Sequence, residues 1–118
     1  MKNIDKIEIC KLVAQAILAD AQITDTESDF LAKLMDRYGL TESERKHVMA
    51  RDIGEDPTDA VQMIVSDEAR NELLIELALA VAVDGEISSS ERALLDRIAR
   101  ALDVSQADLE LMLKAAIA

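Results

Sequence analysis

The chain has 118 residues, half of them apolar, but only one Phe, one Tyr and no Trp. Three Gly and one Pro are too few for a turn-rich β sandwich or barrel, so an all-helical domain is expected, with Leu and Ala supplying the core. With 24 acidic against 13 basic residues the net charge is −11, which excludes the basic face a nucleic-acid binder needs and opposes adsorption to anionic lipid.

The first predicted helix covers about 5–20, because Ile9, Leu12, Val13, Ala16 and Ile17 follow i, i+3, i+4 spacing. Cys10 lies within this apolar run and reads as a small buried hydrophobe. As the only cysteine, it can form no intrachain disulfide. A second helix, about 25–38, turns Phe30, Leu31, Leu34 and Met35 inward and is closed by Gly39. Thr41-x-x-Glu44 is a capping box that opens a third, about 42–51. The only histidine, His47, falls on the surface of that helix.

The middle of the chain is acidic. Eight carboxylates and one base, Arg70, lie between Asp52 and Glu76. Pro57 after Asp56 suits a helix start over about 57–65, and Ser66 caps the next helix, about 67–83. That helix is apolar nearly all round, which predicts a central position, with Glu72 and Glu76 as its one wet stripe. Helices over about 89–102 and 106–117 bring the count to about seven. The longest apolar run, Leu77 to Val83, is far short of the ~20 residues of a membrane span, so no direct membrane insertion is expected. The first residues carry no signal-peptide core, and the expected compartment is the reducing cytoplasm.

The chain matches itself at an offset of 64 residues. Ala14, Ala16, Asp20, Ile23, Glu27 and Leu31 fall on Ala78, Ala80, Asp84, Ile87, Glu91 and Leu95. Thr24 and Thr41 fall on Ser88 and Ser105, and Glu44 on Asp108. The expectation is one domain over 1–118. It holds two pseudo-symmetric three-helix units, about 8–49 and 72–113, around two central apolar helices.

Each unit carries one turn of the form Asp-x-x-Ile-[Thr/Ser]-x-x-Glu. Thr24-x-x-Glu27 and Ser88-x-x-Glu91 read as capping boxes, and Ile23 and Ile87 stand at the position of a hydrophobic staple. Asp20 and Asp84 are different. They end helices, where the macrodipole is negative and a carboxylate costs roughly 0.3–1 kcal/mol. Such a placement asks for a compensating partner: backbone amides, a base or a cation. The turn also matches the second half of an EF-hand loop, but the first two ligand positions would be Ala80 and Ala82, so an EF-hand is rejected.

The segment from Leu77 through Asp84-Gly85-Glu86-Ile87-Ser88 to Glu91, with its copy in the first half, resembles the TerB-like family, the tellurite-resistance protein B group. The resemblance implies a seven-helix fold and a stress-associated bacterial protein of the cytoplasm. It also implies a divalent-cation site at Asp84, Glu91, Asp20 and Glu27. Ala21 departs from the glycine usual in that turn. Oxygen-only ligands favour Ca²⁺ or Mg²⁺. Asp84 and Glu91 are the first-choice ligands, and a Glu91 engaged in its capping box is unavailable to a cation.

Neither a catalytic triad nor a phosphate loop can be assembled, and Ser28-Asp29 and Ser66-Asp67 are the wrong order for an acyl-carrier attachment site. Two Asp/Glu pairs are also too few convergent groups for a metal-dependent hydrolase. The expected function is that of a non-enzymatic module with a protein partner, binding divalent cations at the two turns. The alternative is a metal-free acidic interaction domain whose linker helix docks a basic partner.

Overall fold

The computed structural model describes residues 2–18, 25–50, 57–82 and 87–117. They form α1 (Asn3–Leu18), α2 (Asp25–Arg37), α3 (Glu42–Met49), α4 (Pro57–Gln62), α5 (Asp67–Ala82), α6 (Ser89–Ala101) and α7 (Gln106–Ile117). No strand occurs among the described residues. The boundaries follow the local chemistry. Pro57 opens α4. Ser66 Oγ accepts from the Ala69 amide at the start of α5 (3.1 Å). Thr41 and Glu44 close a reciprocal capping box on α3, with Glu44 Oε1 accepting from Thr41 N at 2.8 Å.

The helix bounds keep the register of the sequence. Adding 64 to Asn3–Leu18 gives Asp67–Ala82, and adding it to Asp25–Arg37 gives Ser89–Ala101. The helix stops keep it too. After α2, Leu40 N donates to Met35 O (3.1 Å) and Gly39 N to Asp36 O (3.0 Å). After α6, Val104 N donates to Ala99 O (2.8 Å) and Asp103 N to Arg100 O (3.1 Å). Both are Schellman closures, which need a left-handed residue. Gly39 has φ +69° and Asp103 has φ +62°. The carboxylate side chain lets Asp103 hold a conformation that most side chains resist.

The centre of the molecule is α1. It packs against α2, α3, α4, α5 and α6. Its whole circumference from Ile9 to Ile17 is buried except at Lys11, so Cys10, Ala14 and Gln15 join the predicted apolar face. The expectation that α1 and α5 pack together at the centre holds for that contact. The expectation that the wet stripe of α5 runs through Glu72 and Glu76 does not. Leu73, Leu77, Ala80 and Val81 enter the core, while Asn71, Ile75 and Leu79 face outward. Hydropathy could not separate these faces, because both are apolar. The actual distinction is that α1, α2, α6 and α7 pack around α5 and leave one stripe, Glu68, Asn71, Ile75 and Leu79, exposed.

Candidate functional site

The acidic turns are described only at their C-terminal ends. Asp20, Ile23, Thr24, Asp84, Gly85 and Glu86 lie outside the described residues. Glu27 and Glu91, one in the first turn of α2 and the other in that of α6, are each 5% exposed. Ser88 is the N-cap of α6. Its Oγ accepts from Glu91 N (3.1 Å), and Glu91 Oε1 accepts from Ser88 N (3.0 Å). The predicted capping box is therefore formed, and the carboxylate also meets the positive end of the helix dipole. Ile87 packs against the core, and the fourth residue of α6 is Arg92, so this isoleucine anchors the turn to the core rather than along its own helix.

This geometry bears directly on a cation. One oxygen of Glu91 is committed to the helix start. Among the described residues no group of three or more His, Cys, Asp or Glu is placed to hold a metal. The first turn thus offers two described carboxylates, Asp25 and Glu27, and the second one, Glu91, whereas a Ca²⁺ shell needs six to eight oxygens. The described donors do not by themselves fit a cation.

A second cluster was read differently from the sequence. Glu76 is 2% exposed, so the Glu72/Glu76 pair is not the wet stripe of α5. It faces α2. Arg37 Nη2 donates to Glu76 Oε2 (2.9 Å), and the Tyr38 hydroxyl donates to Glu72 Oε1 (3.1 Å). Burial pushes the Glu76 carboxyl above its ordinary value, opposed by Arg37 and reinforced by Glu72. Burial likewise raises the Tyr38 hydroxyl, and the two carboxylates add to it. Cys10, fully buried, has its thiol pushed up to about 12, first by burial and then by the charge of Glu76, against Arg37 and Arg45. A thiol so raised is neither a nucleophile nor a metal ligand at neutral pH. The signal available in the sequence was the only two carboxylates in the apolar half of α5, four residues apart, with the lone Tyr38 and Arg37 adjacent at the end of α2.

The polar face of α5 having turned inward, an apolar one is left outside. Ile75 is 47% exposed and Leu79 39%. With Ala78 of α5 and Met112, Ala115 and Ala116 of α7 they line an open, almost wholly apolar groove. Leu111, 65% exposed, stands on the same helix α7. The linker helix α4 buries Pro57, Ala60 and Val61 against α1 and α6 and leaves Asp59 and Gln62 exposed. His47 is exposed on α3, as expected. No helix among the described residues is long and apolar enough to cross a membrane.

A seven-helix acidic domain, with a capping box at the start of α6 and the same sequence pattern before α2, defines a helical module without a described catalytic centre. A family model, "Tellurite resistance protein TerB", matches residues 6–114, and the chain belongs to that family. It is also similar in fold to a crystal structure of a protein of unknown function from Porphyromonas gingivalis W83, with a TM-score of 0.63 at 18% identity. The alignment covers 98% of this chain and 95% of that one. A comparison with curated proteins gives no match.

Proposed function

We propose that this TerB-family chain is a non-enzymatic interaction module of the cytoplasm, serving the stress response that the family's name denotes by binding a protein partner. The observation that carries the reading is the outer face of α5. Two large aliphatic side chains, Ile75 and Leu79, are 47% and 39% exposed on a helix whose other side is in the core. They line one groove with α7 in a chain of net charge −11. Exposed aliphatic side chains gathered in one groove support an interaction site there. The test is affinity capture from the native source with the wild type and with Ile75→Ser/Leu79→Ser. A protein retained by the first and lost by the second supports the reading. Identical captures from both remove it.

A second reading rests on a different observation, the equal burial of Glu27 and Glu91 at corresponding turns. In that reading Asp84 and Asp20 join them in weak sites for Ca²⁺ or Mg²⁺, with carbonyls and water completing the shell, and cation binding requires Glu91 to give up its capping box. Calorimetric titration of each ion into the wild type and into Asp84→Asn/Glu91→Gln tests it. Heat present in the first and absent from the second supports a site.

A further inference from the structure

The two halves of the chain differ in character where α2 meets α5. In the 64-residue register the corresponding contact is that of α6 on α1. Its matching residues are Ala101, Leu102 and Leu12, all apolar and all in or against the core. On α2 and α5 the same positions hold Arg37, Tyr38 and Glu76. The fold therefore needs no polar group at this junction. Glu72 has a carboxylate counterpart, Glu8, which Lys11 holds at 3.2 Å. A buried charge that the architecture does not require, set beside a second carboxylate, points to a role other than packing.

The geometry gives the Glu76 carboxyl two partners. Glu72 and Glu76 stand four residues apart on one face of α5, so their carboxyls are neighbours. Glu76 Oε2 accepts from Arg37 Nη2 (2.9 Å), and Glu72 Oε1 accepts from the Tyr38 hydroxyl (3.1 Å). The Glu76 side chain is 3% exposed and that of Arg37 57%, so the guanidinium can turn to water without disturbing the core. An ionised Glu76 only accepts, and Arg37 supplies the charged donor. A protonated Glu76 can donate, and Glu72 is its hydrogen-bonding neighbour. The other elements bring no competing charge. From α1 comes the neutral thiol of Cys10, on which Arg45 of α3 acts in turn. The charged side chains of α6 and α7 are not among the groups that act on Glu76.

We infer that Glu72 and Glu76 form a proton-driven switch at the junction of α2 and α5, in which uptake of one proton moves Glu76 from Arg37 to Glu72 and frees the guanidinium. The proton comes from solvent and rests on a Glu76 carboxyl oxygen, which then donates to Glu72. Arg37 keeps its charge and turns outward, so the surface at the end of α2 becomes one unit more positive. The bond from Tyr38 to Glu72 continues to tie α2 to α5. The fold survives the change, because uptake removes a buried charge. Burial and the neighbouring carboxylate set the uptake above the ordinary carboxyl range, within reach of mild acidification.

The sole tyrosine, in a chain without tryptophan, makes the switch visible. An ionised carboxylate that accepts from a phenol quenches its emission, and one that shares a proton quenches it less. The experiment titrates the full chain from neutral to acid pH, reading tyrosine emission and far-UV circular dichroism together, for the wild type, Glu76→Gln and Arg37→Met. Circular dichroism at neutral pH establishes that each variant is folded. In the wild type, emission should rise in a one-proton step with its midpoint above 4.5, at unchanged helicity. In Glu76→Gln the step above 4.5 should be absent. In Arg37→Met it should move upward by about half a unit or more, since the competing charge is gone. The Arg37→Met arm stands by itself if Glu76→Gln does not fold. No step above 4.5 in the wild type, the same step in Glu76→Gln, or an unmoved step in Arg37→Met overturns the inference. So does a loss of helicity at the same midpoint, since the emission then reports unfolding.

Discussion

Arg37 Nη2 lies 2.9 Å from Glu76 Oε2, joining the end of α2 to the buried middle of α5. The carboxylate side chain is 3% exposed and the arginine side chain 57%. The pair is thus asymmetric, with a buried acceptor held by a donor that remains in water. Arg37→Ala leaves that carboxylate without its charged donor and should cost about 1.5–3 kcal/mol, toward the lower end because the arginine is half in solvent. Glu76→Leu removes the buried charge and puts leucine where the corresponding position already has it, at Leu12. It should be neutral or stabilising by about 1–4 kcal/mol. Urea denaturation of both variants at pH 7 checks the contrast.

The pH dependence of that contrast has a definite sign. The Glu76 carboxyl lies above its ordinary value of 4.5 in the folded protein, chiefly through burial. The folded state therefore holds this proton more tightly than the unfolded state, and stability from this group is lost as pH rises through the raised value. The stability advantage of Glu76→Leu over the wild type should be larger at pH 7 than at pH 4. Denaturation curves of both proteins across that range measure it.

The two left-handed helix stops should respond oppositely to substitution. Gly39 has open space where a Cβ would stand, so Gly39→Ala meets no clash and costs only the conformational strain, about 1–2 kcal/mol. Asp103→Gly relieves the same strain at φ +62°, offset by the freedom that glycine gives the unfolded chain, and should stabilise by up to about 1 kcal/mol. Thermal melts of the two variants, with opposite shifts expected, test the equivalence of the two closures.

On α5 the core face and the outer face should separate. Leu77→Ala, at a site with no exposure, should cost about 2–5 kcal/mol. Ala80→Leu at the packed side should cost about 1–3 kcal/mol by overpacking. Leu79→Ala, 39% exposed, should cost under about 1 kcal/mol. Equal losses at Leu77 and Leu79 in chemical denaturation contradict the assignment of faces.

Cys10 should be chemically silent in the folded protein, since its thiol is buried and raised to about 12. A thiol reagent at pH 8 should label it at the rate of unfolding and quickly in denaturant. Rapid labelling without denaturant contradicts the burial.

Helix positions were legible because their signals are local. Thr41 with Glu44, Ser88 with Glu91, Pro57 and Gly39 act within one turn, and the helices begin and end at them. The inward positions of α2 were legible for the same reason, since one amphipathic face dominates that helix. The orientation of α5 was not. Glu76 finds its base 39 residues away, and nothing in residues 67–83 specifies that partner. A pair of glutamates in an apolar helix reads as solvated until a donor from another helix is placed beside it. Asp103 was missed as a helix stop because a left-handed aspartate looks like any other loop residue.

The central position of α1 has a consequence during synthesis. The helix leaves the ribosome well before two of its neighbours, α5 and α6, which end only at Ala82 and Ala101. At about 5–20 residues per second, its apolar circumference waits several seconds for the helices that enclose it. Over that interval the nascent chain carries a sticky, almost uncharged stretch from Ile9 to Ile17, broken only by Lys11 and Gln15. A holdase bound to this stretch should therefore stay on the nascent chain until α6 has emerged.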